Sequence, residues 1–404
     1  MPPIIAQNLV IVLPRGMTLG HWNRVGLLER EWALYRSLAP SFGRLVVVTY
    51  GDRSDLDLAQ RIDVEHPPGT RVQYIWNDQK LDEAEYWRAL PAKVAGALPS
   101  PESSLIRTHQ FSSGPVAVEI RDALRMAGHS AALLSRGGYL WSRFAAHARG
   151  PGSASARTAS LAERALCRAA QVVVGTTDEM ISDLCWRYML EPQRSFVVPN
   201  FAFFGEGEPA PALARDRGLI VCSGHVSARK RVLTLVDALA RLPMEHRSHA
   251  KLEVIGDGPE LSSIAHAASR HGVSVECVGV LPHEQVLSRL SKCAIYAQAS
   301  ELEGHPKGVI DAMAAGAVVV VADSPGLGTI VKNGVTGIRV PGGDADGFAN
   351  AFMGLLGDED WREMLGSTAA RQARTELGLA RVVSLELAAC RAAMELASSK
   401  SKAA

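Results

Sequence analysis

Short apolar runs alternate with amphipathic stretches along most of this chain, and that alternation leaves few folds open. Leu9–Leu13, Leu45–Tyr50, Val72–Trp76, Ser104–His109, Ala131–Arg136 and Gln171–Thr176 read as buried strands. Between them, Gly26–Leu38 and Val116–Ala127 have the spacing of helices that bury one face. The pattern breaks at Phe203–Ala212, where glycine and proline accumulate. It restarts with strands at Gly218–Ser223, Lys251–Gly256, Ser274–Gly279, Ala294–Gln298, Val318–Ala322 and Gly337–Val340. Helices fit Val232–Ala240, Glu260–Arg270, His283–Ser291 and Val309–Ala315. Apolar strands separated by helices mean parallel sheets covered on both faces.

The expectation is therefore an α/β chain of two Rossmann-like, doubly wound parallel-sheet domains. Their bounds are 1–203 and 215–380, joined by a linker over 204–214. Residues 381–404 are expected as a helix packing back towards the first domain, with a frayed tail from Glu395. Sheets of this kind bind ligands beyond the carboxyl ends of their strands, here expected to face each other across a cleft. Gly150–Arg157 is small and polar and reads as a loop.

The length of 404 residues suits two cores rather than one. Lysine and arginine total 43 against 42 acidic residues, so no strongly basic face argues for nucleic acid. The six cysteines form no CxxC pair, which reads as buried free thiols in a reducing, cytoplasmic setting. The apolar start Pro2–Leu13 lacks a basic flank and reads as a strand rather than a signal peptide. Nothing approaches the run of about 20 apolar residues that spans a bilayer. Trp22 and Trp32, with Arg24 and Arg30, offer a peripheral membrane contact for a lipid-linked acceptor; the plainer reading is that these helices cover a sheet.

The segment Ser300–Gly316 carries the strongest chemical signal. A strand ends, a polar loop Ser300–Lys307 follows, and an apolar helix begins at Gly308. Pro306 suits a first helical turn, Gly304 permits close backbone approach, and exposed amides at a helix start attract phosphate. Glu303 precedes that start, and Asp311 lies roughly 7–8 Å farther along the axis than Pro306. One carboxylate is placed for a sugar ring and the other for a ribose diol. Ile220–Arg231 gives a second strand, a glycine turn and the cations Arg229, Lys230 and Arg231, suited to phosphate.

Glu303, Gly304, Pro306, Lys307, Ala312, Met313, Ala314 and Gly316 resemble the E-x7-E region of family 4 glycosyltransferases, retaining enzymes of GT-B architecture. Asp311 stands where that family has its second glutamate. Lys230 matches the lysine that holds the donor diphosphate in the family, His225 stands in place of its arginine, and Arg231 in place of a glycine. The resemblance implies that Glu303 and Lys230 act on a nucleotide-sugar donor. It extends donor binding to Gly16, His225, Arg229, Gly256, Leu281, Gly304, His305, Pro306, Lys307 and Asp311. His225 leaves two donor classes open: a diphosphate clamped by Arg229 or Arg231, or a CMP-sugar with one phosphate.

In the first domain, Pro14–Gly20 is similar to the family's loop over the donor phosphates, and Ser135–Tyr139 is a weaker contact candidate. His109, at a strand end, corresponds to a histidine that touches a sugar hydroxyl in the family. Glu163 matches an architectural element. The dinucleotide fingerprint is incomplete at Gly256–Gly258, which argues against hydride transfer. Asp55-Leu-Asp57 mimics a metal-binding DxD but is assigned to a solvated loop, and neither cofactor nor catalytic metal is expected. The implied activity is retaining transfer of a sugar to a glycan, lipid-linked or protein-linked hydroxyl. A nucleotide-sugar epimerase of the same fold and a non-catalytic donor-binding subunit are the alternatives.

Overall fold

A computed structural model describes residues 3–63, 71–204 and 215–403. The expected linker 204–214, Phe204 apart, lies outside the described residues. The chain forms two compact units: one takes the chain up to Arg24, Leu28–Pro199 and the chain from Val382 on, the other Val25–Leu27 and Asn200–Arg381.

The first unit holds seven strands: β1 (Ala6–Val12), β2 (Phe42–Val48), β3 (Arg71–Ile75), β4 (Ser103–Thr108), β5 (Ser130–Arg136), β6 (Val172–Gly175) and β7 (Ser195–Val197). They pair in the order β3-β2-β1-β4-β5-β6-β7, every pairing parallel. The second unit has β8 (Asp216–Ser223), β9 (Lys251–Ile255), β10 (Ser274–Gly279), β11 (Cys293–Gln298), β12 (Val318–Asp323) and β13 (Ile338–Pro341). Their order is β10-β9-β8-β11-β12-β13, again parallel throughout. The two-sheet parallel α/β class read from the alternation is the fold observed. The central runs, such as Leu9–Val12 and Val319–Val321, are fully buried, as strands covered on both faces must be.

Several expectations need correction. The stretch Gly26–Leu38 is helical from Leu28 to Leu38, and a further helix Leu19–Arg24 precedes it, the two separated at Gly26, whose φ of +70° suits glycine. Trp22 and Trp32 are buried, so they offer nothing to a membrane surface. Gly150–Arg157 is no extended loop. Helices Trp141–Arg149 and Ala154–Ala169 leave only a short turn, and the Ser153 side chain caps the second by accepting from the Ala156 N–H. The last helix is Leu379–Ala403. Among the described residues no helix is long and apolar enough to cross a membrane.

Candidate functional site

In the second sheet the strand order reverses between β8 and β11, with β9 and β10 outward on one side and β12 and β13 on the other. Loops leaving the carboxyl ends of such a pair diverge and open the crevice where doubly wound sheets bind ligands. Both phosphate-suited segments leave from these two adjacent strands.

After β11 the chain runs through Ala299–Pro306 into the helix Lys307–Ala314. Pro306 is the N-cap residue, and no side chain caps this start. Its first amides are therefore directed at whatever approaches the helix. The helix starts hard against the sheet: a Cβ on Gly308 would lie 2.4 Å from the Tyr296 hydroxyl and 2.8 Å from Oγ of Ser223. Lys307 and Gly304 are half-buried beside it.

Glu303 is the centre of a tight polar cluster. Its Oε1 lies 2.9 Å from Nη1 of Arg229, 2.9 Å from Nζ of Lys230 and 3.0 Å from Nε2 of Gln298. Burial pushes its carboxyl up, but Lys230 and Arg229 outweigh burial and hold it below the usual carboxylate range. The backbone is braced as well. The Glu303 N–H donates to the Pro325 carbonyl at 3.0 Å, and the Glu301 N–H donates to that of Arg229 at 2.9 Å. Gln298 also donates to Oγ of Ser300 and accepts from the Tyr296 hydroxyl, which lies 3.0 Å from Oγ of Ser223. A continuous polar string thus leads from Glu303 back to the end of β8.

The cations come from the loop after β8. Arg229 and Lys230 lie in a single 3-10 turn, Ala228–Lys230. Arg231 follows in the left-handed region at φ +49° and pairs with Glu301 rather than Glu303. His225 is exposed on the same loop. Gly256 and Gly258 pass directly beneath it: Cβ atoms there would lie 2.0 Å from the Gly224 carbonyl oxygen and 2.1 Å from that of Val226. Glycine at both positions serves this close approach. Leu281 is half-buried ahead of the helix His283–Lys292.

Asp311 and His305 are both buried. Asp311 is 3% exposed; its Oδ1 accepts from the Phe203 N–H at 3.0 Å, and its Oδ2 lies 3.1 Å from Nε2 of His283. The carboxylate is thus an anchor inside the unit. The Phe203 ring adds an edge contact to His283, centroids 5.0 Å apart. His305 is likewise buried, its Nδ1 accepting from the Asn200 N–H at 3.1 Å and its carbonyl from the Asn200 side chain at 2.7 Å. Both residues hold the Asn200–Phe203 segment to the helix.

The first unit has its own switch point, between β1 and β4. Gly16 and His109 follow those two strands. Gly16 adopts φ +72° in the turn closed by the Met17 N–H on the Pro14 carbonyl, and a Cβ there would lie 2.9 Å from Oε2 of Glu83. Asp55, expected in solvent, is 2% exposed on the helix Arg53–Asp63. It accepts from the Leu19 and Gly20 amides, each at 2.8 Å, and so caps the helix that follows the β1 loop. Glu163 accepts from the Ser142 N–H and the Tyr188 hydroxyl, an architectural role.

His109 is 7% exposed and bonded through Nδ1 to the Tyr35 hydroxyl at 2.7 Å. Behind it, Arg107 and Arg136 both bind the buried Glu386 of the last helix, at 2.6 and 3.2 Å. Sequence reading missed Tyr35, Gln298, Tyr296, His283 and Glu386. Arginines at the ends of two apolar strands are the one available signal, because buried charges demand a partner.

Residues 207–372 match the family model described as glycosyl transferases group 1. A D-inositol 3-phosphate glycosyltransferase of Kribbella flavida is 29% identical over 254 residues, covering 58% of this chain and 59% of the relative. The chain thus spans about three-fifths of that relative's length. Among solved structures, Anabaena HepE in complex with UDP and glucose gives a TM-score of 0.71 at 18% identity, covering 94% of this chain and 98% of that one. Sucrose-phosphate synthase from Thermosynechococcus elongatus gives 0.71 at 21% identity, over 95% and 97% of the two chains. At these identities the likeness shows the fold, two parallel-sheet α/β units as in GT-B glycosyltransferases.

Proposed function

We propose that this chain is a retaining glycosyltransferase, which moves a hexose or related sugar from a nucleoside diphosphate to an acceptor hydroxyl without a metal ion. The observation that carries this reading is the convergence of Lys230, Arg229 and Glu303 beside the uncapped start of Lys307–Ala314, at the β8/β11 switch point. The match of residues 207–372 to the glycosyl transferase model supports it.

Lys230, Arg229 and the first-turn amides take the diphosphate and stabilise the charge that grows on it as the bond to the anomeric carbon breaks. Preorganised donors of this kind account for much of enzymatic rate enhancement. Glu303 accepts from sugar hydroxyls and orients the donor. Two cations on one turn, with helix amides beside them, suit two phosphates better than the single phosphate of a CMP-sugar. Arg229 therefore supplies the charge that His225 does not. Since Asp311 is an internal anchor, the ribose is held by other groups of the loop. In this reading the acceptor binds on the first unit, and the reaction belongs to glycan, polysaccharide or glycoconjugate synthesis.

The test is a thermal-shift screen of UDP-, GDP-, ADP-, TDP- and CMP-sugars, with UDP-glucose first because HepE was solved with UDP and glucose. A diphosphate donor is expected to stabilise most. Stabilisation by CMP-sugars alone would refute the diphosphate assignment.

A further inference from the structure

Arg231 holds a backbone conformation that its residue type disfavours. It sits at φ +49° and ψ +42°, between the 3-10 turn Ala228–Lys230 and the helix Val232–Arg241. A Cβ is crowded in that region, whereas glycine adopts it freely. The turn before it is closed by the backbone: the Lys230 N–H donates to the Ser227 carbonyl at 2.8 Å, and the Arg231 N–H to that of Ala228 at 3.1 Å. Glycine would make the same bend without strain, so the arginine is explained by its side chain.

That side chain is placed on two sides. Nε and Nη2 both bind Oε1 of Glu301. Nη1 lies over Gly343, where a Cβ would stand 3.0 Å from it. The Glu301 N–H in turn donates to the Arg229 carbonyl at 2.9 Å. The backbone bond and the side-chain pair close a ring through Arg229, Lys230, Arg231 and Glu301, and Lys230 is carried inside it. Charge is sorted at the same time: Arg231 takes Glu301, while Arg229 and Lys230 converge on Oε1 of Glu303. The side chains of Arg231 and Glu301 are 45% and 32% exposed, and ion pairs so open to water add little to stability. The use of this pair is therefore geometric.

We propose that Arg231 is a positioning residue: through Glu301 it ties the cation turn to the Ser300–Lys307 loop and holds the Lys230 ammonium in place for the leaving phosphate. Arg231 itself takes no phosphate. Its effect on transfer rests on the glycosyltransferase reading; the placement of Lys230 does not.

Three variants of the full chain test this: Arg231→Gly suits the bend but removes the clamp, Glu301→Gln removes the partner charge, and Arg231→Lys keeps a cation. Acetylation by acetic anhydride with peptide mass spectrometry reads the placement without any substrate. The Lys230 side chain is 14% exposed against 41% for Lys251, which serves as the internal reference. Relative to Lys251, Lys230 is expected to label faster in Arg231→Gly and in Glu301→Gln, and near the wild-type rate in Arg231→Lys. Unchanged labelling in the first two variants overturns the proposal.

In the transfer assay, Arg231→Gly and Glu301→Gln are each expected to lower kcat about tenfold with donor KM within about twofold. The Tm of Arg231→Gly should be no lower than that of the wild type, and Arg231→Lys should recover most of kcat. The double variant should lose no more than either single one, because both act through one contact. Additive losses, or faster labelling with unaltered kcat, would overturn the positioning role. A raised donor KM in Arg231→Gly at unchanged kcat, with tighter donor binding in Glu301→Gln, would make Arg231 a phosphate ligand instead. Absence of wild-type transfer from every donor would count against the glycosyltransferase reading, with the placement of Lys230 still judged by the labelling.

Discussion

Nζ of Lys230 lies 2.9 Å from Oε1 of Glu303, the same oxygen that Nη1 of Arg229 reaches at 2.9 Å. The carboxylate sits where a phosphate oxygen would meet both cations, so Glu303 acts as an internal anion that a donor must share or displace. Glu303→Gln removes that competitor. It is expected to bind the free nucleoside diphosphate about three to tenfold more tightly by calorimetry, roughly 0.7–1.4 kcal/mol, while losing sugar transfer. Weaker binding by the variant would mean that Glu303 assists the diphosphate rather than opposing it.

Lys230→Ala is expected to lower kcat by about 10²–10³, the usual cost of removing a donor aimed at developing charge. Arg229→Ala should cost less in kcat, because Arg229 also braces the loop through the Leu302 carbonyl. Part of its effect will appear as a lower Tm. Steady-state kinetics with melting curves on both variants separates these contributions.

Asp311→Glu tests whether this position faces a ribose. The carboxylate already accepts from Phe203 and binds His283 in a buried setting. One more methylene overpacks the site and is expected to destabilise the chain by about 1–3 kcal/mol in urea unfolding. An unchanged midpoint with tighter nucleotide binding would instead restore the ribose role.

Glu386 makes stability pH-dependent with a definite sign. Its folded-state pKa is depressed below the ordinary value near 4.5, so its stabilisation is complete above about pH 4.5 and is lost as pH falls through the folded value. Glu386→Gln leaves two buried arginines without their carboxylate, a loss of about 3–5 kcal/mol at neutral pH. The gap in Tm between wild type and variant is therefore expected at pH 7 and should narrow as pH falls below 4.5. A constant gap across that range would mean the stabilisation is steric.

How much of this was legible from residues alone differs between backbone and side chains. Twelve of the thirteen strands among the described residues follow the runs read from the sequence, and the central ones do so because strands buried on both faces cannot avoid being apolar. Only Ser195–Val197, three half-buried residues, is too short to show a pattern. Glycines were legible as turns, yet the neighbour each one makes room for, such as Gly224 above Gly256, is set by tertiary approach. Long-range polar pairs were the least legible. Nothing local ties Glu386 to Arg107, or Asp311 to the amide of Phe203. Asp55 illustrates the same limit: the sequence places it in a solvated loop, whereas it is buried and accepts from amides 35 and 36 residues away as well as from the Thr49 hydroxyl.

Product analysis by mass spectrometry and anomeric NMR tests the central claim most directly. The purified chain would be supplied with the donor that stabilises it most, with and without an acceptor extract. A glycosyltransferase of the kind proposed here yields released nucleoside diphosphate and an acceptor glycoside that keeps the donor's anomeric configuration, and Lys230→Ala slows the formation of both by about 10²–10³. An altered free sugar formed from donor alone would make the chain an epimerase. Tight donor binding without turnover on any acceptor would make it a binding subunit, and either result would contradict the account.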